Sequence, residues 1–241
     1  MKKSALIVWG GWDGHEPELV AKRAQKLLLE ADFDVEVSQT LDAFLDLEKL
    51  QKLDLIVPLW TMGQIKGEQC GPVLRAVAGG VGIAGNHGGM NDAFRENTEW
   101  QFMCGGQWVA HPGNDGTPYL VNILNSSSPI VKDLSDFDVS SEHYYLHIDP
   151  AVEVLASTRF PVANGPHITN GAMTMPVAWT KRWGWGRVFY TSLGHHDDVF
   201  NIPQAGEIFR RGLLWAADSK AEAVKAGHAG DYERFFSATF T

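Results

Sequence analysis

Ala5-Leu6-Ile7-Val8-Trp9 is an unbroken apolar run of strand length, and an amphipathic helical pattern follows it after Gly10-Gly11. A strand that is apolar at every position has both faces buried, as happens in a parallel sheet covered by helices. In the helical pattern, residues 17–31, Val20, Ala24, Leu27, Leu28 and Ala31 share one face, while Lys22, Arg23, Lys26 and Glu30 fall elsewhere. Pro17 stands in the first turn, where a missing N–H costs nothing. Residues 34–37, 54–59 and 82–85 read as three further strands. Helical spacing over 41–53 and 68–78 separates them, with Gly79-Gly80 as a helix stop. Strand and helix in alternation predict a doubly wound, mostly parallel α/β sheet. Right-handed crossovers then put the strand ends on one edge, where such folds bind ligands.

The second half is less regular. Strands are expected at 119–123, 152–156, 176–179 and 187–191, with Gly184-Trp185-Gly186 linking the last two as a hairpin. Residues 105–116, rich in Gly, His and Trp, read as a loop. A closing helix over 204–217 puts Phe209, Gly212, Leu213 and Ala216 on one face. Beyond Ser219 the chain is polar and Ala-rich, and Tyr232, Phe235, Phe236 and Phe240 are expected to pack back onto the fold or a neighbour. No repeat or low-complexity linker divides the sequence. It therefore reads as one domain over 1–241, with a core at about 4–217 and a tail at 218–241.

A formal charge of −9 with no Lys/Arg cluster argues against a nucleic-acid partner, which requires a basic stripe. The apolar run behind Met1 is shorter than a signal-peptide core and far short of the ~20 residues of a membrane span. A cytoplasmic protein with no membrane partner is expected. Cys70 and Cys104 lack metal-knot or redox spacing and are expected as free, half-buried thiols. The 9 Trp and 9 His suit a polar-aromatic pocket for a small sugar-like ligand, although several Trp serve equally well as core.

Four segments carry chemistry. In Gly85-Asn86-His87-Gly88-Gly89, a reactive residue between glycines follows a strand, the geometry of a strained elbow that exposes its central side chain beside backbone N–H donors. Ser192-Leu193-Gly194-His195-His196-Asp197-Asp198 leaves a strand end with two imidazoles suited to acid/base work or metal binding. Taken singly, Asp197 and Asp198 read as solvated charge. Trp12-Asp13-Gly14-His15-Glu16 precedes a helix N-terminus, where Glu16 complements the helix dipole. In Glu142-His143-Tyr144-Tyr145-Leu146-His147, strand alternation sends His143, Tyr145 and His147 to one face and Glu142 to the other, unless the backbone is irregular there. No HExxH, Walker loop or dinucleotide fingerprint is present.

These segments, with Leu6-Ile7-Val8-Trp9-Gly10-Gly11, His147-Ile148-Asp149-Pro150 and Gly186-Arg187-Val188-Phe189-Tyr190-Thr191, resemble the ThuA-like (trehalose-utilisation) family, in order over roughly residues 4–217. The resemblance implies a flavodoxin-like, three-layer fold of the class I glutamine amidotransferase-like kind. It also implies a link to trehalose and other sugars, beside oxidoreductases that make 3-keto sugars. Amidotransferases of that fold carry a cysteine in the elbow. Here the elbow holds His87, so thiolate-dependent glutamine hydrolysis is rejected.

The expected function is hydrolysis, elimination or isomerisation of a sugar or 3-keto-sugar derivative. His87, Glu142, His195 and His196 are the catalytic candidates. Trp12, His15, Asn86, His143, Tyr144 and His147 are the substrate-binding candidates. A divalent metal such as zinc is a candidate cofactor, with His15, His87 and His195 as its ligands. The alternative is a non-catalytic sugar-binding or regulatory protein on the same scaffold. The sequence is compatible with a homo-oligomer.

Overall fold

The structure, a computed structural model, describes residues 2–230. Tyr232, Phe235, Phe236 and Phe240 lie outside the described residues.

The first half alternates as its pattern predicts. The elements are β1 (Lys3–Gly11), α1 (Pro17–Glu30), β2 (Phe33–Ser38), α2 (Leu47–Leu50), β3 (Leu55–Thr61), α3 (Gly67–Ala78) and β4 (Gly82–Asn86). One departure is residues 41–53, where a continuous helix was expected. Leu41–Phe44 forms a 3-10 turn, and Asp46 restarts the chain as the single turn α2 by accepting the Lys49 N–H. Two separate caps replace one helix, because Thr40 and Asp46 each satisfy nearby backbone donors.

The second half contains α4 (His87–Asn91), α5 (Thr98–Cys104), β5 (Gly106–Ala110), β6 (Thr117–Ile123), β7 (Phe137–Ser141), β8 (Tyr145–Ile148), β9 (Glu153–Phe160), β10 (Met173–Trp183), β11 (Gly186–Thr191), α6 (Pro203–Ala217) and α7 (Ser219–Lys225). The expected loop at 105–116 is thus partly a strand. Trp108 and Gln107 lie opposite Leu146 and His147, so β5 and β8 form a small ribbon of their own. The predicted hairpin is present, with Trp183 paired to Gly186 and Gly184 at φ 56° in the turn.

The main sheet has nine strands in the order β2-β1-β3-β4-β11-β10-β9-β6-β7. From β2 to β11 the neighbours are parallel, and from β11 to β7 each neighbour is antiparallel to the last. Alternating directions make β7 run the same way as β11. The carboxyl ends of β1, β3, β4, β11 and β7 therefore share one rim.

Period-2 alternation along β1 feeds two helical layers. Ile7 joins Val20, Ala24 and Leu28 of α1 and Phe209 and Leu213 of α6 on one face. Leu6 and Val8 join Val73, Leu74 and Val77 of α3 on the other. Each such fully buried aliphatic side chain contributes about 1.5–3 kcal/mol of transfer free energy. Phe137 and Val139 of β7 belong to the same core as α6, Val199 and Phe200, so the antiparallel half curls around toward the parallel half. Among the described residues, no helix is long and apolar enough to cross a membrane.

Candidate functional site

Three parallel strands deliver one histidine each to the shared rim. β1 leads into a 3-10 turn, Asp13–His15, which carries His15. β4 ends at Asn86, and the next residue, His87, has φ 44°, a left-handed conformation rare for a side-chain-bearing residue. Such strain persists only where the surroundings enforce it, and it gathers at functional turns. Here Tyr190 donates its hydroxyl to the His87 carbonyl at 3.1 Å, and Tyr144 stacks on the imidazole at 3.9 Å. β11 leads through Gly194 to His195. Gly88 has to be small, since a Cβ there would stand 2.4 Å from Nδ1 of His15.

Glu142 completes the cluster. Strand alternation would have turned it away, but residues 142–144 between β7 and β8 are irregular, and the carboxylate swings onto the rim. The Tyr119 hydroxyl anchors the Glu142 carbonyl at 3.2 Å. Around Oε2 of Glu142 stand His87 Nε2 at 3.1 Å, His195 Nδ1 at 3.3 Å and His15 Nε2 at 3.7 Å. His111 Nδ1 lies 3.7 Å from Oε1. One carboxylate thus gathers four imidazoles from four distant segments.

Electrostatics sharpen the picture. Burial drives the imidazole of His87 down to about 3, and burial also lowers that of His15. For Glu142, burial pushes upward, but the neighbouring His15, His195 and His87 side chains outweigh it and hold the carboxyl far below the usual range. The centre is an ionised carboxylate beside two imidazoles, His15 and His87, that burial moves toward the neutral form.

Other expected residues lie around this centre. Asn86 is buried and donates to the carbonyls of Leu193 and Gly194, fastening the β4 and β11 exits together at 3.3 Å each. Trp12 is 46% exposed and sets its indole edge-on to His15 at 4.8 Å. His196 is half-buried, 3.5 Å from Asp115 and 3.7 Å from Glu16. Glu16 accepts the Asp197 N–H at 2.9 Å, so it ties the first rim loop to the last besides facing the helix start. Asp197 is held by a two-point pair with Arg23 and is not merely solvated.

Two candidates are placed elsewhere. His143 is 1% exposed, with its ring stacked between Tyr119 at 4.3 Å and Phe160 at 3.8 Å. Burial brings it down to about 3, and its ring packs as part of the core between those two aromatics. His147 is exposed on β8 opposite Gln107 and joins no member of the cluster. Strand alternation failed here because the chain leaves the strand at Glu142 and rejoins one only at Tyr145.

His111, Thr61 and Asp115 were not singled out from the sequence. The density of Trp and His in residues 105–116 was the available signal for His111. Thr61, at the end of β3, contacts His15 Nδ1 at 2.9 Å and carried no signal. A cleft of about 680 Å³ opens between Trp108, His111, Asn114, Tyr145, Asn164 and His167, and His111 links it to Glu142. The Arg95 guanidinium covers one Trp108 face at 4.2 Å, fixing the indole at the cleft wall. Both thiols are free and fully buried, deeper than the half-burial expected, and neither belongs to the cluster.

A family model described as trehalose utilisation matches residues 4–216. A ThuA-like protein of Bacteroides uniformis superposes with a TM-score of 0.70 at 20% identity, covering 90% of this chain and 92% of its own. A ThuA-like protein of Parabacteroides merdae gives 0.67 at 20% identity, with 90% of each chain covered. A cytoplasmic protein of Salmonella typhimurium gives 0.62 at 13% identity, covering 90% of this chain and 98% of its own. No curated protein matches the chain.

Proposed function

The chain belongs to the ThuA (trehalose utilisation) family, and from that premise we propose that it acts on a sugar or 3-keto-sugar derivative by hydrolysis, elimination or isomerisation. The observation that carries the reading is the convergence of His15, His87 and His195 on the Glu142 carboxylate, with His111 linking that cluster to an open cleft walled by Trp108 and Tyr145. An indole and a phenol present apolar faces to the C–H side of a pyranose, while Asn114 and Asn164 offer amides to its hydroxyls. A keto group in the ring acidifies the adjacent C–H, so a weak base suffices to begin the reaction. The buried centre polarises the substrate oxygen. Of the imidazoles close to the cluster, His111, lining the cleft, and His196, on the rim, are open enough to pass a proton to or from the bound sugar.

The test is to follow a 3-keto-disaccharide and its parent glycoside by NMR with the native protein and with Glu142→Gln. Turnover of the keto sugar that falls by roughly 100-fold or more in the variant is the expected result. Calorimetric binding of sugar without any product would favour the non-catalytic alternative. Neither binding nor turnover would remove the sugar reading altogether.

A further inference from the structure

Both ring nitrogens of His87 are directed at oxygen atoms, and the inward one faces the shared carboxylate. Its Nδ1 is 2.8 Å from the carbonyl oxygen of Ser192, which only accepts, so Nδ1 carries the hydrogen. With Nδ1 so engaged, Nε2 is the nitrogen that faces the cluster, 3.1 Å from Glu142 Oε2. A cation held between the ring nitrogen and the carboxylate oxygen would use both lone pairs. The buried Nδ1 of His195 faces the same oxygen at 3.3 Å without hydrogen-bond geometry.

The distances and the supporting contacts fit a metal ion. Zinc-type bonds of about 2.0–2.1 Å in a tetrahedron set donor atoms roughly 3.3–3.4 Å apart. The three nitrogens lie 3.1, 3.3 and 3.7 Å from Glu142 Oε2. All four donors fall within 4.8 Å of one another. Two of the imidazoles have their second nitrogen held from outside, His87 by the Ser192 carbonyl at 2.8 Å and His15 by the Thr61 hydroxyl at 2.9 Å, and the Asp115 carboxylate stands 3.9 Å from Nε2 of His195. Outer partners of these three kinds, which orient a ring and raise its basicity, are characteristic of metal-bound histidine.

We propose that His15 Nε2, His87 Nε2, His195 Nδ1 and Glu142 Oε2 form a tetrahedral site for one divalent transition metal, with zinc the best match to three imidazoles and a carboxylate. A divalent charge offsets the buried carboxylate and makes use of every inward-facing lone pair. Oε1 of Glu142 stays free on the side facing His111 and the cleft. The site rests on these residues alone and is independent of which sugar, if any, is the substrate.

The experiment uses the full chain, stripped with a chelator and assayed without sugar. Zn2+ uptake is measured by calorimetry and elemental analysis, and Co2+ uptake by visible absorption. The expected result is one ion per chain, with the intense bands of tetrahedral Co2+ displaced by Zn2+. Glu142→Gln and His195→Gln should each weaken Zn2+ at least about tenfold, while His147→Ala binds as the native protein does. Because substitutions at the rim can disturb folding, each variant is compared by near-ultraviolet circular dichroism. Failure to take up a stoichiometric ion overturns the proposal. So do pale six-coordinate Co2+ bands, or folded Glu142→Gln and His195→Gln variants that bind as tightly as the native protein.

Discussion

Thr61 Oγ1 lies 2.9 Å from Nδ1 of His15, so the last residue of β3 orients an imidazole carried by the loop after β1. The two are 46 residues apart and meet because β1 and β3 are neighbours at the point where the strand order reverses. Crevices form at such a reversal because the connections on either side leave in opposite directions.

Thr61→Val keeps the shape of the side chain and removes that oxygen. Zn2+ affinity should fall by about 10–100-fold, the range for losing an outer partner of a histidine ligand. Thr61→Ser should restore most of it. Unaltered affinity in the valine variant would show that His15 needs no orienting contact.

Gly194 precedes His195 at φ 94°, and a Cβ there would stand 2.4 Å from the Phe200 ring. Gly194→Ala should lower the free energy of unfolding by about 1–3 kcal/mol through left-handed strain and overpacking. Urea titration measures it. An unchanged midpoint would mean that the β11 exit has slack.

Neither cysteine should react in the native state. Burial pushes the Cys70 thiol up to about 12, and burial pushes Cys104 well up too. For Cys70 a shift of that size cuts the thiolate fraction by roughly a thousandfold relative to a free cysteine. A chromogenic disulfide reagent at mildly alkaline pH should label both thiols only after denaturant is added. Rapid native labelling would reopen thiolate chemistry.

Glu207 on α6 accepts hydrogen bonds from Arg210 at 2.6 and 2.7 Å and from Arg211 at 2.6 Å. Arg210 first and then Arg211, against some desolvation, bring its carboxyl down to about 2 from an ordinary 4.5. A lowered carboxyl stabilises the fold above its unfolded pKa, and that contribution is lost as pH falls toward the folded value. Glu207→Gln should therefore destabilise modestly at neutral pH, by less than about 1 kcal/mol because the pair is partly exposed. The gap to the native protein should close between about pH 4.5 and pH 2. A gap that stays constant with pH would assign the effect to packing.

Some of this was readable from local pattern. The apolar run of β1, the one-faced helix behind it and the Gly-flanked His87 each depend on residues close in sequence, where period and steric size suffice. The 41–53 segment shows the limit, because helical spacing there was real and two side-chain caps still divided it. His143 shows another: next to Glu142 in the chain, it turns its ring between Tyr119 and Phe160 while Glu142 reaches the rim.

From the chain alone came the doubly wound layering and the candidate imidazoles at strand exits, because burial of a strand and the shape of a turn are local properties. Tertiary structure alone decided that Glu142 sits at their centre, that His111 joins it and that His143 and His147 do not. Those outcomes depend on the curl of the antiparallel half and on a three-residue irregularity after β7, and neither leaves a periodic trace in the order of residues.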